Sequence, residues 1–138
     1  GWGNPVRRDA WPADAFWYGN RPYVVGEISD EDAERLIPKV EAAIADYPYA
    51  GRGSYTVWPG PNSNSFVAWV VRHTEGLDVE LPPVAIGKDY LGDGLGFDRA
   101  PSGTGYSFSA WGLLGFTLAV DEGFELHLLG TSIGVDPN

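Results

Sequence analysis

The sequence predicts an α+β domain in which two helices pack on an antiparallel β-meander. Apolar residues recur at helical i, i+3, i+4 spacing in the first half of the chain, and they alternate with polar residues after Gly105. The 138 residues suit a single domain spanning residues 1–138, and the 19 glycines and 11 prolines make a helical bundle a poor fit.

Residues 1–28 form an aromatic-rich segment interrupted by prolines and glycines, with no helical period. We predict a loop packed on the core that ends in a short strand near residues 23–28. The helical part of the chain follows, over residues 29–76.

The first helix is predicted to begin after Ser29, a residue that can cap a helix. Three acidic residues follow and suit the positive end of the helix dipole. An apolar stripe then predicts the buried side: Ala33, Leu36, Ile37, Val40, Ile44 and Tyr47. Pro38 predicts either a kink or a division into two short helices.

A short strand at residues 55–58 is predicted to stop at Pro59, before a polar cluster that caps the second helix. This helix is expected to fray between His73 and Gly76. Its predicted buried residues are Phe66, Val67, Trp69 and Val70.

Residues 77–104 hold several glycines and few periodic apolar residues, which predicts a loop region without regular structure. The meander is predicted over residues 105–138, with turns at Gly112 and at residues 121–123 and a break at Gly130.

Composition excludes several classes of function. A net charge of −10 makes nucleic acid a poor partner, and the absence of Cys excludes disulfides, thiolate zinc sites and a cysteine nucleophile. Asp89, Asp93 and Asp98 lack the spacing of a calcium loop, so no metal or cofactor is expected. No apolar run reaches the length of a membrane span. The chain begins at Gly1 and contains no Met, from which we expect a processed or truncated piece.

The start of the second helix is the most informative segment of the sequence. A hydroxyl at a helix N-terminus lies among free backbone N–H groups, where an oxyanion would be stabilised. Ser63 is therefore a candidate nucleophile, with His127 as its base and Glu125 orienting the imidazole. The alternative is that Asn62, Ser63 and Ser65 only cap the helix, and we favour it. His127 is expected on the solvent-facing side of the meander.

The loop region is expected to bring further polar groups to the helix start and so to form one cleft. Its predicted binding residues are Trp58, Asn62, Asn64, Ser65, Lys88, Asp89, Ser102, Gly103, Thr104 and Tyr106.

Four ordered blocks resemble a known family: WPGPNSNSFVAWVVR, LPPVAIGKDY, APSGTGYSFS and EGFELHLLGTSIGVDP. With the opening GWG, they are similar to the bacterial domain-of-unknown-function family 3750 over essentially the whole chain. The family has no established activity. Its members usually carry a hydrophobic anchor ahead of the GWG, so the resemblance implies a periplasmic or membrane-anchored protein that faces outside the cytoplasm.

The segment NSNSFV, residues 62–67, also resembles the start of the catalytic helix in permuted papain-like enzymes of the NlpC-type and lecithin:retinol acyltransferase-like group. Ser63 stands at the position of their cysteine, and their histidine precedes it in the chain. The resemblance suggests a permuted papain-like core in which thiol chemistry is absent.

Three functions remain open from the sequence. The first is a non-catalytic envelope protein that binds a small ligand or partner in the cleft at residues 62–65. The second is a serine-dependent hydrolase or acyltransferase that uses Ser63. The third is an accessory subunit of a larger membrane complex, for which an exposed aromatic patch around Trp2, Trp11, Trp17 and Tyr18 would be the indication.

Overall fold

Two helices precede a five-stranded antiparallel sheet in the part of the chain that the structure describes. The structure is a computed structural model that describes residues 3–12, 14–82, 84–92, 94–100, 102–120, 123–129 and 131–135, with only the backbone at residues 131 and 132. The predicted α+β class is confirmed.

Helix α1 spans Asp30–Ala45 and contains Pro38 without a division into two helices. Its first turn is acidic, as predicted. Ser29 occupies the cap position, but its hydroxyl donates to the Asp30 carboxylate at 2.9 Å and makes no capping hydrogen bond. Leu36 and Ala43 are buried, whereas Ile37 was wrongly placed on the buried side and is 56% exposed.

Helix α2 spans Ser63–Arg72 with His73 as its C-cap, at the start of the range in which it was predicted to fray. Its buried residues are Ser65, Ala68, Val70 and Val71. Val67, predicted to be buried, is instead exposed.

The five strands are β1 (Leu95–Arg99), β2 (Gly105–Ala110), β3 (Leu114–Ala119), β4 (Gly123–Leu128) and β5 (Thr131–Val135). They lie in the sheet in chain order, as a meander does. Gly112 has a φ of 63° in the turn between β2 and β3, a conformation that favours glycine. The predicted turn residues 121 and 122, and the predicted break at Gly130, lie outside the described residues.

Three predictions of local structure were wrong. Neither residues 23–28 nor residues 55–58 form a strand, and β1 arises within the predicted loop region. The β1 sequence LGFDR, which contains Gly96 and Asp98, has little strand propensity of its own. It becomes a strand because all five of its residues pair with β2.

The two faces of the sheet are inverted relative to the prediction. The polar residues Ser107, Ser109, Thr117, Glu125 and His127 are buried on the inner face, under coil residues that connect α2 to β1. The outer face exposes eleven large apolar side chains: Leu95, Phe97, Tyr106, Leu114, Phe116, Leu118, Phe124, Leu126, Leu128, Ile133 and Val135. Alternation establishes which residues share a face, but it does not establish which face is covered.

Asn62 anchors the start of α2. Its Oδ1 accepts hydrogen bonds from the backbone N–H groups of Asn64 and Ser65, at 2.9 and 3.1 Å. Its Nδ2 donates to the carbonyl oxygens of Val57 and Ile86, at 3.0 and 3.1 Å. The side chain therefore caps the helix and also ties the preceding and following coil segments to it.

Replacing Asn62 with Ala should lower the free energy of unfolding by about 2–3 kcal/mol, because a cap and two part-buried hydrogen bonds are lost together. Ser63→Ala is the matched control. The Ser63 side chain is exposed and makes no hydrogen bond to a described residue, so the control should change stability by less than about 0.5 kcal/mol. Urea unfolding measures both, and equal losses in the two variants would contradict the assignment of the cap to Asn62.

Candidate functional site

The coil after α2 is held against the helix start by short hydrogen bonds. Ser65 Oγ donates to the Gly87 carbonyl oxygen at 2.7 Å, and Asn64 Nδ2 donates to the Ile86 carbonyl oxygen at 2.9 Å. Gly87 has a φ of +88°, and a Cβ there would lie 2.6 Å from Asn62 Nδ2. The predicted proximity of the segment around Lys88 to the helix start is therefore present, and these polar groups hold the fold together.

An aromatic groove opens on the other side of the helix start, with a volume of about 360 Å³. Ser63 and Asn62 form its edge at the first turn of α2. The other lining residues are largely aromatic or proline, with one cation: Pro5, Val6, Arg7, Ala10, Trp11, Trp17, Tyr47, Tyr49, Tyr55, Pro61 and Phe66. We call this the aromatic groove.

Sequence reasoning missed most of this groove. Residues 1–28 were expected to pack on the core, yet Trp11 and Trp17 are 77% and 70% exposed. The sequence shows that residues 47, 49 and 55 are aromatic, but it does not show that they converge. Their convergence depends on how the coil after α1 turns back towards α2. Trp2 lies outside the described residues.

A buried polar cluster lies beneath the inner face of the sheet. Lys88 Nζ lies 2.9 Å from Glu125 Oε2 and 3.2 Å from Oε1, and it also donates to the Leu81 carbonyl oxygen at 2.9 Å. Both side chains of the ion pair are nearly inaccessible to solvent, with exposures of 3% and 6%. The structure thus brings together two residues, Lys88 and Glu125, that the sequence assigned to different roles.

His127 belongs to the same cluster. Its Nε2 lies 2.7 Å from Thr117 Oγ1, which in turn lies 2.8 Å from Ser107 Oγ. Burial, together with the positive charges of Lys88 and Arg72, lowers the pKa of His127 from 6.5 to about 4. The imidazole is therefore neutral at pH 7.

Asp89 is the second unusual group in the cluster. It is 1% exposed, and neither carboxylate oxygen makes a hydrogen bond to another described residue. Burial raises its pKa, and Glu125 raises it further, while its own backbone N–H and the cations Arg72 and Lys88 oppose the shift.

The candidate triad is not assembled in the described residues. Ser63 lies on the aromatic groove, whereas His127 is 1% exposed and hydrogen-bonds to Thr117. Glu125 is paired with Lys88 rather than positioned to orient an imidazole. Thr117 and His127 are closed to a substrate, because both are buried. The expectation that His127 faces solvent was wrong.

Most of the remaining predicted binding residues lie away from the helix start. Ser102 and Thr104 hydrogen-bond to each other at 2.8 Å beside Gly103, which borders a pocket of about 230 Å³ near the end of α2 together with Asp78 and Arg72. Because α2 is about 15 Å long, this turn and the helix start do not form one cleft. Tyr106 is also separate, since it stacks on Phe97 on the outer face of the sheet. Trp58 follows Val57, whose carbonyl oxygen Asn62 holds, but its Nε1 donates to the Leu129 carbonyl oxygen at 2.7 Å.

Among the described residues, no group of three or more His, Cys, Asp or Glu side chains could hold a metal ion. No helix in this part of the chain has the length and apolar character needed to cross a bilayer.

These features define an α+β domain with an aromatic groove beside a tightly capped helix and a closed polar cluster under the sheet. The chain belongs to the family described as "Protein of unknown function (DUF3750)", whose model matches residues 1–90. The match covers both helices and Lys88, and it ends before β1. Searches of curated proteins and of solved structures found no match. The resemblance to permuted papain-like enzymes stays a prediction.

Replacing Lys88 with Met should lower the free energy of unfolding by about 3–5 kcal/mol, because Glu125 would remain buried without a counter-charge. Arg35→Met is the control, since its ion pair with Asp32 is 65% exposed on both sides and should contribute less than about 1 kcal/mol. Urea unfolding measures both variants. Adding Glu125→Leu to Lys88→Met should recover much of the loss, and no recovery would count against an uncompensated charge as its cause.

His127 should make the protein less stable as the pH falls. Its pKa is about 4 in the folded state and 6.5 in the unfolded chain, so between these values only the unfolded state takes up the proton. The free energy of unfolding should fall by up to about 3 kcal/mol from pH 7 to pH 4 on this account. The raised pKa of Asp89 has the opposite effect on stability, and this effect is the same in the wild-type protein and in the His127→Gln variant described next.

His127→Gln isolates the effect, because Gln can still hydrogen-bond to Thr117 but does not titrate. Chemical denaturation at several pH values should show a shallower loss in this variant. Parallel stability curves for the two proteins would contradict the low pKa.

Proposed function

We propose that this domain is a non-catalytic binding module whose ligand occupies the aromatic groove. The observation that carries the proposal is the groove itself, whose volume of about 360 Å³ is in the range of small-molecule sites and whose lining includes six aromatic side chains. Aromatic side chains bind flat apolar surfaces with little loss of conformational entropy. The proposed ligand is a small molecule or extended segment with an apolar face.

Arg7 and Ser63 suggest the polar part of the ligand. Arg7 is the one positively charged side chain among the described lining residues, and Ser63 contributes to the lining from the first turn of α2. A guanidinium group favours carboxylate, sulfonate or phosphate partners. An anionic group attached to a flat apolar body therefore matches both parts of the groove.

The anionic dye 8-anilinonaphthalene-1-sulfonate has this chemistry and serves as a probe. In a titration followed by NMR, the indole resonances of Trp11 and Trp17 and the amide of Ser63 should shift in a saturable way. Trp17→Ala and Arg7→Gln should each weaken binding by about tenfold. Trp111→Ala is the control, because Trp111 is also exposed but lies in the turn between β2 and β3. Unshifted groove resonances, or equal losses in the control, would contradict the proposal.

Ser63 favours a second candidate, a serine-dependent hydrolase or acyltransferase, because its hydroxyl lines the groove at a helix N-terminus. That activity needs a base, and His127 would have to leave Thr117 and the buried cluster to supply one. We expect a fluorophosphonate probe to leave the protein unlabelled. Labelling of the wild-type protein that is lost in both Ser63→Ala and His127→Gln would contradict the binding module and support the enzyme.

The proposal includes a location at the bacterial envelope, outside the cytoplasmic membrane, where the domain would bind a ligand or act as an accessory subunit of a membrane complex. The family resemblance supports the location, and exposed Trp17 and Tyr18, at 70% and 90%, support a protein partner. Fractionation of cells that express the full-length gene product tests the location. Recovery in the cytosol would contradict it.

A further inference from the structure

The outer face of the sheet carries an apolar row that crosses all five strands. The strand register aligns Phe97, Phe108, Phe116, Leu126 and Ile133 side by side from one edge to the other. The exposed fractions of these side chains reach 75% at Ile133, and Phe116 in the central strand is still 41% exposed. Rows on both sides continue the pattern with further Leu, Tyr, Phe and Val side chains.

The area of this face exceeds what a monomer normally leaves in water. Eleven large apolar side chains at about half exposure present roughly 1,000 Å² of apolar surface. The largest apolar patch on a typical monomer covers about 300–600 Å². A standard protein interface buries about 800 Å² on each partner, so the face is large enough for a stable contact.

The charge on this face favours a second copy of the chain over a lipid surface. Among the described side chains of the face only Arg99 is charged, although the whole chain has a net charge of −10. Interfacial membrane binding relies on Lys and Arg around the apolar surface, and a strongly acidic protein lacks that attraction to anionic lipids. A two-fold contact places a patch against itself, and a patch whose one charge lies at the end of the edge strand β1 permits this with little repulsion.

We infer that the outer face of the sheet packs against the same face of a second copy. Stacked sheets lie about 10 Å apart with their strands rotated by about 30°, and the inner residues of the two faces then interdigitate. Phe116, at the centre of the central row, lies near the two-fold axis of such a dimer. The aromatic groove, lined by residues of the N-terminal segment and of the region 47–66, takes no part in the contact.

Analytical ultracentrifugation of the chain tests the inference. We expect a dimer with a dissociation constant in the micromolar range or below. Leu126→Lys should weaken the dimer about a hundredfold, because it places an ammonium group in an apolar contact. Ile37→Lys is the matched control, since Ile37 is exposed on α1, and it should leave association unchanged. A wild-type chain that stays monomeric at about 100 μM would overturn the inference.

A second measurement does not depend on the lysine variant. The chain has no Cys, so a single Phe116→Cys substitution should form an intermolecular disulfide on mild oxidation, whereas Ile37→Cys should not. Equal cross-linking of the two variants would count against a contact at the sheet. A chain that stays monomeric and floats with phosphatidylcholine vesicles would contradict the dimer and show that the outer face binds a lipid surface.

Discussion

Lys88 and Glu125 form an ion pair at 2.9 Å that joins the coil after α2 to the fourth strand. Two charges removed from water are tolerated only when they are paired and hydrogen-bonded, and the Leu81 carbonyl oxygen supplies the additional acceptor for Lys88. The pair lies between this coil and the inner face of the sheet, the face that the coil covers. It also contributes to the pKa shifts of His127 and Asp89, whose surroundings contain both Lys88 and Arg72.

The start of α2 has a structural role, because it connects the helix to the coil segments on either side. Asn62 uses its acceptor on two backbone N–H groups of α2 and its donor on two carbonyl oxygens of neighbouring coil. Two of the N–H groups that would stabilise an oxyanion near Ser63 are thus already satisfied. This arrangement agrees better with binding in the aromatic groove than with catalysis by the Ser63 hydroxyl.

The burial of the polar face of the sheet connects the proposed binding groove with the proposed dimer. Its polar face is occupied by a hydrogen-bonded chain from Ser107 through Thr117 to His127, and therefore offers no open site. Its apolar face is left for association with another surface. Ligand binding and association would then use separate parts of the molecule, the groove near residues 47–66 and the outer face of the strands.

The sequence by itself determined the elements with strong local signals. The acidic start of α1, the Asn62 cap, the end of α2 near His73 and the period-two alternation of the meander each depend on neighbouring residues, and the structure confirms all four. Only the tertiary structure decided which face of the sheet is buried. Alternation is identical whether the polar or the apolar side faces inward, and the covered side follows from long-range packing, in which Lys88 of the coil pairs with Glu125 of β4. The packing of distant coil segments also separates Ser63 from His127 and assembles the aromatic groove. Neither could be predicted from neighbouring residues.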